Sequence, residues 1–434
     1  MLWLKPTQET TEHTGSYYAA TANWQTDYPP LKGEVQVDVA IVGGGFTGVN
    51  TALELSERGY KVALIEANRI SWGASGRNGG QIIGGIGHNH EQFEKSIGKD
   101  GVKRIYDMGV ECCEIIRERV AKYDIQCDLK WGYGDVAIKA RHMREFAEFK
   151  EWQEKNGYPH DLEILDKQAI KDYVNSDNYI GGMINKNGYG HVHSLNLCIG
   201  EARVAESLGA QIFEQSRVTK IVHGALPEVH TEQGVVKAKY VVTCGNAYMG
   251  DLEPKLACKV LPSTSCVIAT EPLSEAQIQQ TLPADIAVCD PRTALDYFRL
   301  TADKRMLFGG LSNYTGLDPK DLVGTLRKKM LQVFPELANA RIDYGWSGQM
   351  GIGINRLAQL GRLSDNVFYI QAYSGHGVAP SHMTARITAE MIAGHAERFD
   401  TFARVKHMSW PGGKLLRRPA MALGMMYYKI LDEL

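Results

Sequence analysis

Residues 37–66 constrain this chain more than any other stretch. The apolar run Val37, Asp38, Val39, Ala40, Ile41, Val42 enters the glycine turn Gly43, Gly44, Gly45, Phe46, Thr47, Gly48. Val49, Ala52 and Leu53 follow at helical spacing, Gly59 is a helix stop, and Val62, Ala63, Leu64, Ile65 are apolar enough for a strand covered on both faces. Strand, glycine turn, helix and second strand, in that order, make a dinucleotide-binding βαβ unit. Gly43 suits the tight turn, Gly45 a close backbone approach to a pyrophosphate, and Gly48 close packing of helix on strand. Glu66 stands about 20 residues beyond the glycines, where a carboxylate accepts from a ribose 2′-OH. The same carboxylate repels a 2′-phosphate, which disfavours NADP.

Length and charge narrow the class. The 434 residues suffice for two or three domains, and a formal net charge of −2 gives no electrostatic reason to bind nucleic acid. The eight cysteines include no C-x-x-C pair and read as reduced thiols of a cytoplasmic protein. No basic segment followed by an apolar core opens the sequence, so a secretory leader is not expected, and no apolar window reaches membrane-spanning length. Membrane contact is therefore not expected, although Lys414–Leu434 reads either as a terminal helix docked on its own protein or as a membrane-surface helix.

The remaining chain alternates helical and extended patterns. Residues 1–36 read as a polar and aromatic arm. A second glycine-rich stretch opens with Gly73, Ala74, Ser75, Gly76, Arg77, Asn78, Gly79, Gly80, Gln81, and that density implies backbone pressed against something flat or charged. Helices are predicted at 91–123, 141–156 and 196–208, and strands at 129–140, 179–193, 211–213 and 218–223. The strand 235–243 runs into Cys244 and Gly245. Residues 261–346 have the pattern of a second, antiparallel sheet with a helix at 320–334. A strand at 367–372 then meets Ser374, Gly375, His376, Gly377, Val378 and a helix carrying Pro380 in its first turn. Two helix N-termini, each reached through glycines and far apart in sequence, suit a long cofactor with two polar ends.

Several side chains invite a role. Tyr297 and Arg299 share a strand face, where Arg299 reads equally as a bidentate carboxylate fork and as a salt-bridge residue. His88 with His90, and His191 with His193, have metal-ligand spacing but no completing acid or thiol, so no metal is expected. His376, flanked by glycines, stands where backbone meets cofactor.

The block 73–81, the N-terminal βαβ and Tyr373-Ser374-Gly375-His376-Gly377-Val378 resemble the FAD-dependent D-amino-acid oxidase and glycine oxidase superfamily. Ser16-Tyr17-Tyr18-Ala19-Ala20, Trp346 with Gly351-Ile352-Gly353, and Pro411-Gly412-Gly413-Lys414-Leu415-Leu416 resemble its gamma-glutamylputrescine oxidoreductase subgroup. The resemblance implies an α/β fold: a Rossmann-like FAD-binding domain assembled from 37–128, 194–255 and 347–400, and an antiparallel α+β substrate domain from 129–193 and 256–346, with a tail at 401–434. It implies FAD on Gly43, Gly44, Gly45, Phe46, Thr47, Gly48 and Glu66, with Ala74, Ser75, Arg77, Asn78, Gly79, Gly80 and Gln81 passing the isoalloxazine. Val218 would meet the adenine, Cys244 and Gly245 would lie beside the cofactor, and Gly375, His376, Gly377 and Val378 would face the pyrimidine ring. Trp346 and Gln349 fall where the family lines the substrate site, Trp346 being readable also as a core aromatic.

No cysteine adjoins the His-Gly block, so the FAD is expected to be non-covalent. The activity implied is oxidation of an amine, gamma-glutamylputrescine or a related carboxylate-bearing amine, to an imine and aldehyde, with O2 or another electron acceptor. Glycine, sarcosine or D-amino-acid oxidation, a quinone-coupled dehydrogenase and a non-catalytic flavoprotein remain the alternatives. His376 is the candidate for proton chemistry.

Overall fold

The computed structural model describes residues 4–6, 10–88, 90–292, 295–313 and 317–413. The basic and aromatic tail Lys414–Leu434 lies outside them.

Strand Gly33–Val42 pairs in parallel with Val62–Ile65 on one side and with Gly234–Thr243 on the other. Gln211–Phe213 and Val367–Gln371 extend this parallel core, and Gln359–Ser364 closes one edge antiparallel. The strand's alternation buries it on both faces. Val39 and Ile41 face a core shared with helices Phe46–Glu57, Ser194–Ser207 and Val378–Ile392, while Ala40 and Val42 pack beneath the hairpin Lys220–Val222/Glu228–His230. Helix Phe46–Glu57 approaches the sheet so closely that a Cβ on Gly48 would overlap the Gly43 carbonyl oxygen. Gly43 itself turns at φ +108°. The glycine spacing of the sequence thus has a steric cause.

The second sheet runs in the order 342–352, 261–272, 305–313, 297–300, 287–289, 130–137, 181–191 and 81–82, with Leu162–Asp166 paired to Gly181–His191. Its pairings are antiparallel except Ala287–Cys289 against Lys130–Ala137. Helix Leu322–Val333 covers one face over Phe298, Phe308 and Phe334. The other face roofs the C-terminal edge of the parallel sheet.

Two boundaries differ from the sequence expectation. Strand Gly33–Val42 begins inside the expected arm, because backbone pairing continues to Gly33↔Gly234 past the end of the apolar run. Strand Ile342–Ile352 runs unbroken through the division expected at 346/347, so one strand carries residues of both expected segments. Helix Glu94–Tyr123 is interrupted at Gly98, where φ is +73°.

Candidate active site

One cavity of about 1050 Å³ runs between the two sheets. That exceeds the usual few hundred to 1,000 Å³ of a site for one small ligand, and suits a dinucleotide together with a substrate. At one end stand Val42, Gly43, Gly45, Phe46, Thr47, Glu66, Arg217 and Val218. The Glu66 carboxylate accepts from the amides of Gly44 (2.6 Å) and Asn68 (2.9 Å), and burial raises its pKa. Helix Phe46–Glu57 has Gly45 as its N-cap, without a capping side chain, and Phe46 N–H instead donates to Ser75 Oγ (2.8 Å). Helix Val378–Ile392 starts from Gly377 and likewise lacks a side-chain cap. Two helix N-termini thus present unsatisfied N–H groups and partial positive charge to one cavity, as a pyrophosphate and an electron-rich ring require.

Between these ends runs the loop Gly73–Gln81. Arg77 lies over the Trp72 ring at 4.2 Å and donates to Trp72 O (2.7 Å), and its Nη2 is buried without a protein partner. An orphaned guanidinium nitrogen on the wall is a second feature that a bound polar cofactor would satisfy. Backbone strain clusters opposite, with Ala372 at φ +63° and Ser374 at φ +58° just before His376. Ala372 N–H donates to Asn246 Oδ1 (2.9 Å) and Ser374 N–H to Gly351 O (2.9 Å), which hold this bend.

Beyond the loop the cavity widens into a chamber lined by Gln81, Ile83, Tyr133, Asp135, Tyr189, Cys289, Leu295 and Tyr297, with Tyr106, Phe149 and Trp152 farther along the same wall. His376 and His88 face each other there edge to face, 5.9 Å apart. His376 Nε2–H donates to Ile83 O (2.9 Å), and burial lowers its pKa, so the ring is neutral with Nδ1 unprotonated.

Most sequence-predicted residues meet at this cavity: Gly43, Gly45, Phe46, Thr47, Glu66, Ala74, Ser75, Arg77, Asn78, Gly79, Gln81, Val218, Cys244, Gly245, Gly375, His376, Gly377, Val378, Tyr297 and Gln349. Gly44, Gly48 and Gly80 stand behind its wall. Arg299 and Trp346 do not line it either. The Arg299 guanidinium turns inward, donating to Gly79 O (2.8 Å), Leu300 O (2.9 Å), Val192 O (2.9 Å) and Tyr18 Oη (2.9 Å). It fastens arm, glycine loop and second sheet together instead of presenting a fork to substrate. Trp346 is 2 % exposed, and its Nε1–H donates to Arg77 O (2.9 Å), supporting the same loop from outside.

His191 and His193 are buried away from the cavity, His193 accepting from Asn196 N–H (3.1 Å) as a helix cap. No metal-ligand cluster occurs among the described residues. Asp135, Tyr133, Cys289 and Arg292 were not singled out from sequence. The period-two alternation in 130–137 was the available signal, since it puts Tyr133 and Asp135 on one face.

A parallel dinucleotide-binding sheet, an antiparallel roof and one cavity joining two helix N-termini to an aromatic chamber define a cofactor-dependent oxidoreductase built on two sheets. The chain belongs to the DAO family of FAD-dependent oxidoreductases, whose model matches residues 38–391. It is 44 % identical over 425 residues to gamma-glutamylputrescine oxidoreductase of Escherichia coli, covering 98 % of this chain and 99 % of that protein. It is 40 % identical over 428 residues to the Haemophilus influenzae oxidoreductase OrdL, covering 97 % and 98 %. The fold matches glycine oxidase from Geobacillus kaustophilus at a TM-score of 0.70 and 20 % identity, over 86 % of this chain and all of that one.

Proposed function

We propose that this protein oxidises the primary amine of a γ-glutamylated or similarly carboxylate-bearing amine, gamma-glutamylputrescine first among them, and delivers the electrons to O2. FAD-dependent oxidation of an amine donor is the reaction class of its close relatives. The observation that supports the finer reading is end-to-end similarity to gamma-glutamylputrescine oxidoreductase, combined with a cavity of about 1050 Å³, roomy enough for a dinucleotide and a further small molecule.

The flavin, when bound, supplies the two-electron acceptor for the C–H bond beside nitrogen. Everything else falls to the chain. Gly43, Gly45, Phe46 and Thr47 would hold the pyrophosphate and Glu66 the ribose. Gly375, Gly377 and Val378 would set a helix N-terminus against the ring, favouring negative charge there. Tyr297, Tyr133 and Tyr189 would exclude water and orient the alkyl chain. The amine must be neutral to react, and His376 Nδ1 is the unprotonated nitrogen available on this wall.

The cavity-lining thiols Cys244 and Cys289 are held protonated, their pKa values raised by burial, which supports a non-covalent cofactor. No helix among the described residues is long and apolar enough to cross a membrane. All eight cysteines are unpaired, which fits a cytoplasmic enzyme. Peroxide measured during turnover tests the proposal. Gamma-glutamylputrescine should give peroxide, and glycine, sarcosine and D-alanine little. Turnover of only the latter three would replace this reading with an amino-acid oxidase, and dye reduction without peroxide would replace O2 as the acceptor.

A further inference from the structure

Among the described residues, five buried carboxylates meet cations. Glu54 and Glu201 meet Arg119, Glu214 meets Arg69, Asp290 meets Arg292, and Asp296 meets Arg292 and Lys329. Asp135, half-buried on the chamber wall, forms no ion pair among the described residues; its hydrogen-bond partner is Tyr133, whose hydroxyl donates to Oδ1 at 2.9 Å. A half-buried carboxylate on a largely aromatic wall, with no cation of its own, is costly unless something else supplies the positive charge.

We propose that Asp135 is the specificity-determining anchor for an ammonium group of the substrate, with Tyr133 and Tyr189 forming the aromatic wall around it. This rests on the reading that the amine enters the chamber as a cation and gives up its proton, to His376, before it reacts.

The surroundings agree. Tyr133 and Tyr189 lie with ring centroids 5.7 Å apart, and Cys289 sits directly beside Asp135 on the neighbouring strand. The titratable groups beside Asp135 are Tyr133 on its own strand and Cys289 across one strand boundary, while Tyr189, on the other neighbouring strand, packs against Tyr133. All three are neutral at neutral pH, since burial raises each pKa. Asp290 follows Cys289 and is already taken by Arg292 Nε (2.9 Å). Glu66, at the far end of the cavity, is held by backbone amides. Asp135 is thus the carboxylate with hydrogen-bonding capacity left for a cation. Burial pushes its pKa up to about 6, with the Tyr133 hydroxyl opposing, so the anchor is ionised at neutral pH and switches off in mild acid.

The test uses the full-length FAD-loaded protein and tert-butylamine, a cation without hydrogen on the carbon bearing nitrogen, so that it binds without being oxidised. Its neutral counterpart is tert-butanol, and binding is read by calorimetry. Asp135→Asn, isosteric and still able to accept from Tyr133, should weaken tert-butylammonium binding by about tenfold to a hundredfold, the worth of a charge-assisted hydrogen bond, and leave tert-butanol unchanged within about twofold. In the wild type the cation's affinity should fall below about pH 6, as the sign of a raised carboxyl pKa demands, and the fall should vanish in Asp135→Asn.

Tyr133→Phe removes the opposing hydrogen bond and should move the fall to higher pH, which keeps the proposal testable if Asp135→Asn does not fold. Equal binding of the two probes, or a pH profile that neither variant changes, would overturn it. The probe has no γ-glutamyl group, so this result stands apart from whether gamma-glutamylputrescine is turned over.

Discussion

Replacing Arg299 tests how the N-terminal arm, the glycine loop and the second sheet are joined. Its guanidinium is 3 % exposed and makes four hydrogen bonds, to Gly79 O, Val192 O, Leu300 O and Tyr18 Oη, all at 2.8–2.9 Å. Each charge-assisted bond of this kind is worth ~1.5–3 kcal/mol, and the four share one group and are not additive. Arg299→Met keeps much of the volume but leaves three carbonyl oxygens and a hydroxyl to find other partners, so a loss of about 3–5 kcal/mol is expected. Gly79 belongs to the loop on the cavity wall, so FAD affinity should fall as well. Urea unfolding with and without FAD measures the first effect and flavin retention on dilution the second. Michaelis constants for gamma-glutamylputrescine and for butylamine should rise together. Unchanged stability with a rise confined to the carboxylate-bearing substrate would refute the structural role and restore Arg299 as a carboxylate fork.

Gly48→Ala puts a Cβ onto the Gly43 carbonyl oxygen and forces helix Phe46–Glu57 off the sheet, so stability should drop by ~1–3 kcal/mol or more, and FAD binding with it, in thermal melts of the apo and loaded forms. Asp135→Asn should stabilise the substrate-free protein at pH 8 by up to about 3 kcal/mol, from a pKa raised from 3.8 to about 6. The folded state binds this proton more tightly than the unfolded state, so wild-type stability carries a component that declines between pH 4 and pH 6 and is missing in the variant. Acid precipitation should leave a colourless pellet and a yellow supernatant, and colour on the pellet would mean a covalent flavin.

The parallel sheet was legible because its signals are local. Gly43, Gly45 and Gly48, the apolar run 62–65 and Glu66 occupy one continuous stretch, and steric contact between neighbours in that stretch dictates the residue types. The second sheet was legible as a pattern, but its pairing was not: strand 261–272 joins 342–352, and 130–137 joins 287–289, across intervals that periodicity does not span. The misplaced Arg299 shows the same limit. Alternation put Tyr297 and Arg299 on one face, and Tyr297 does line the cavity. The arm residue Tyr18 and the 191–193 segment cover the other part of that face, so Arg299 is enclosed. Asp135 escaped notice because an acid in a strand reads as solvent-facing until three separate strands close a chamber around it.

The central claim is that one cavity holds FAD at two helix N-termini and brings an amine to it in the adjoining chamber. Anaerobic mixing of the purified yellow protein with gamma-glutamylputrescine tests this most directly. The yellow absorbance should bleach and return when O2 is admitted. A protein that is colourless and takes up no FAD, or a yellow one that no amine bleaches, would contradict it.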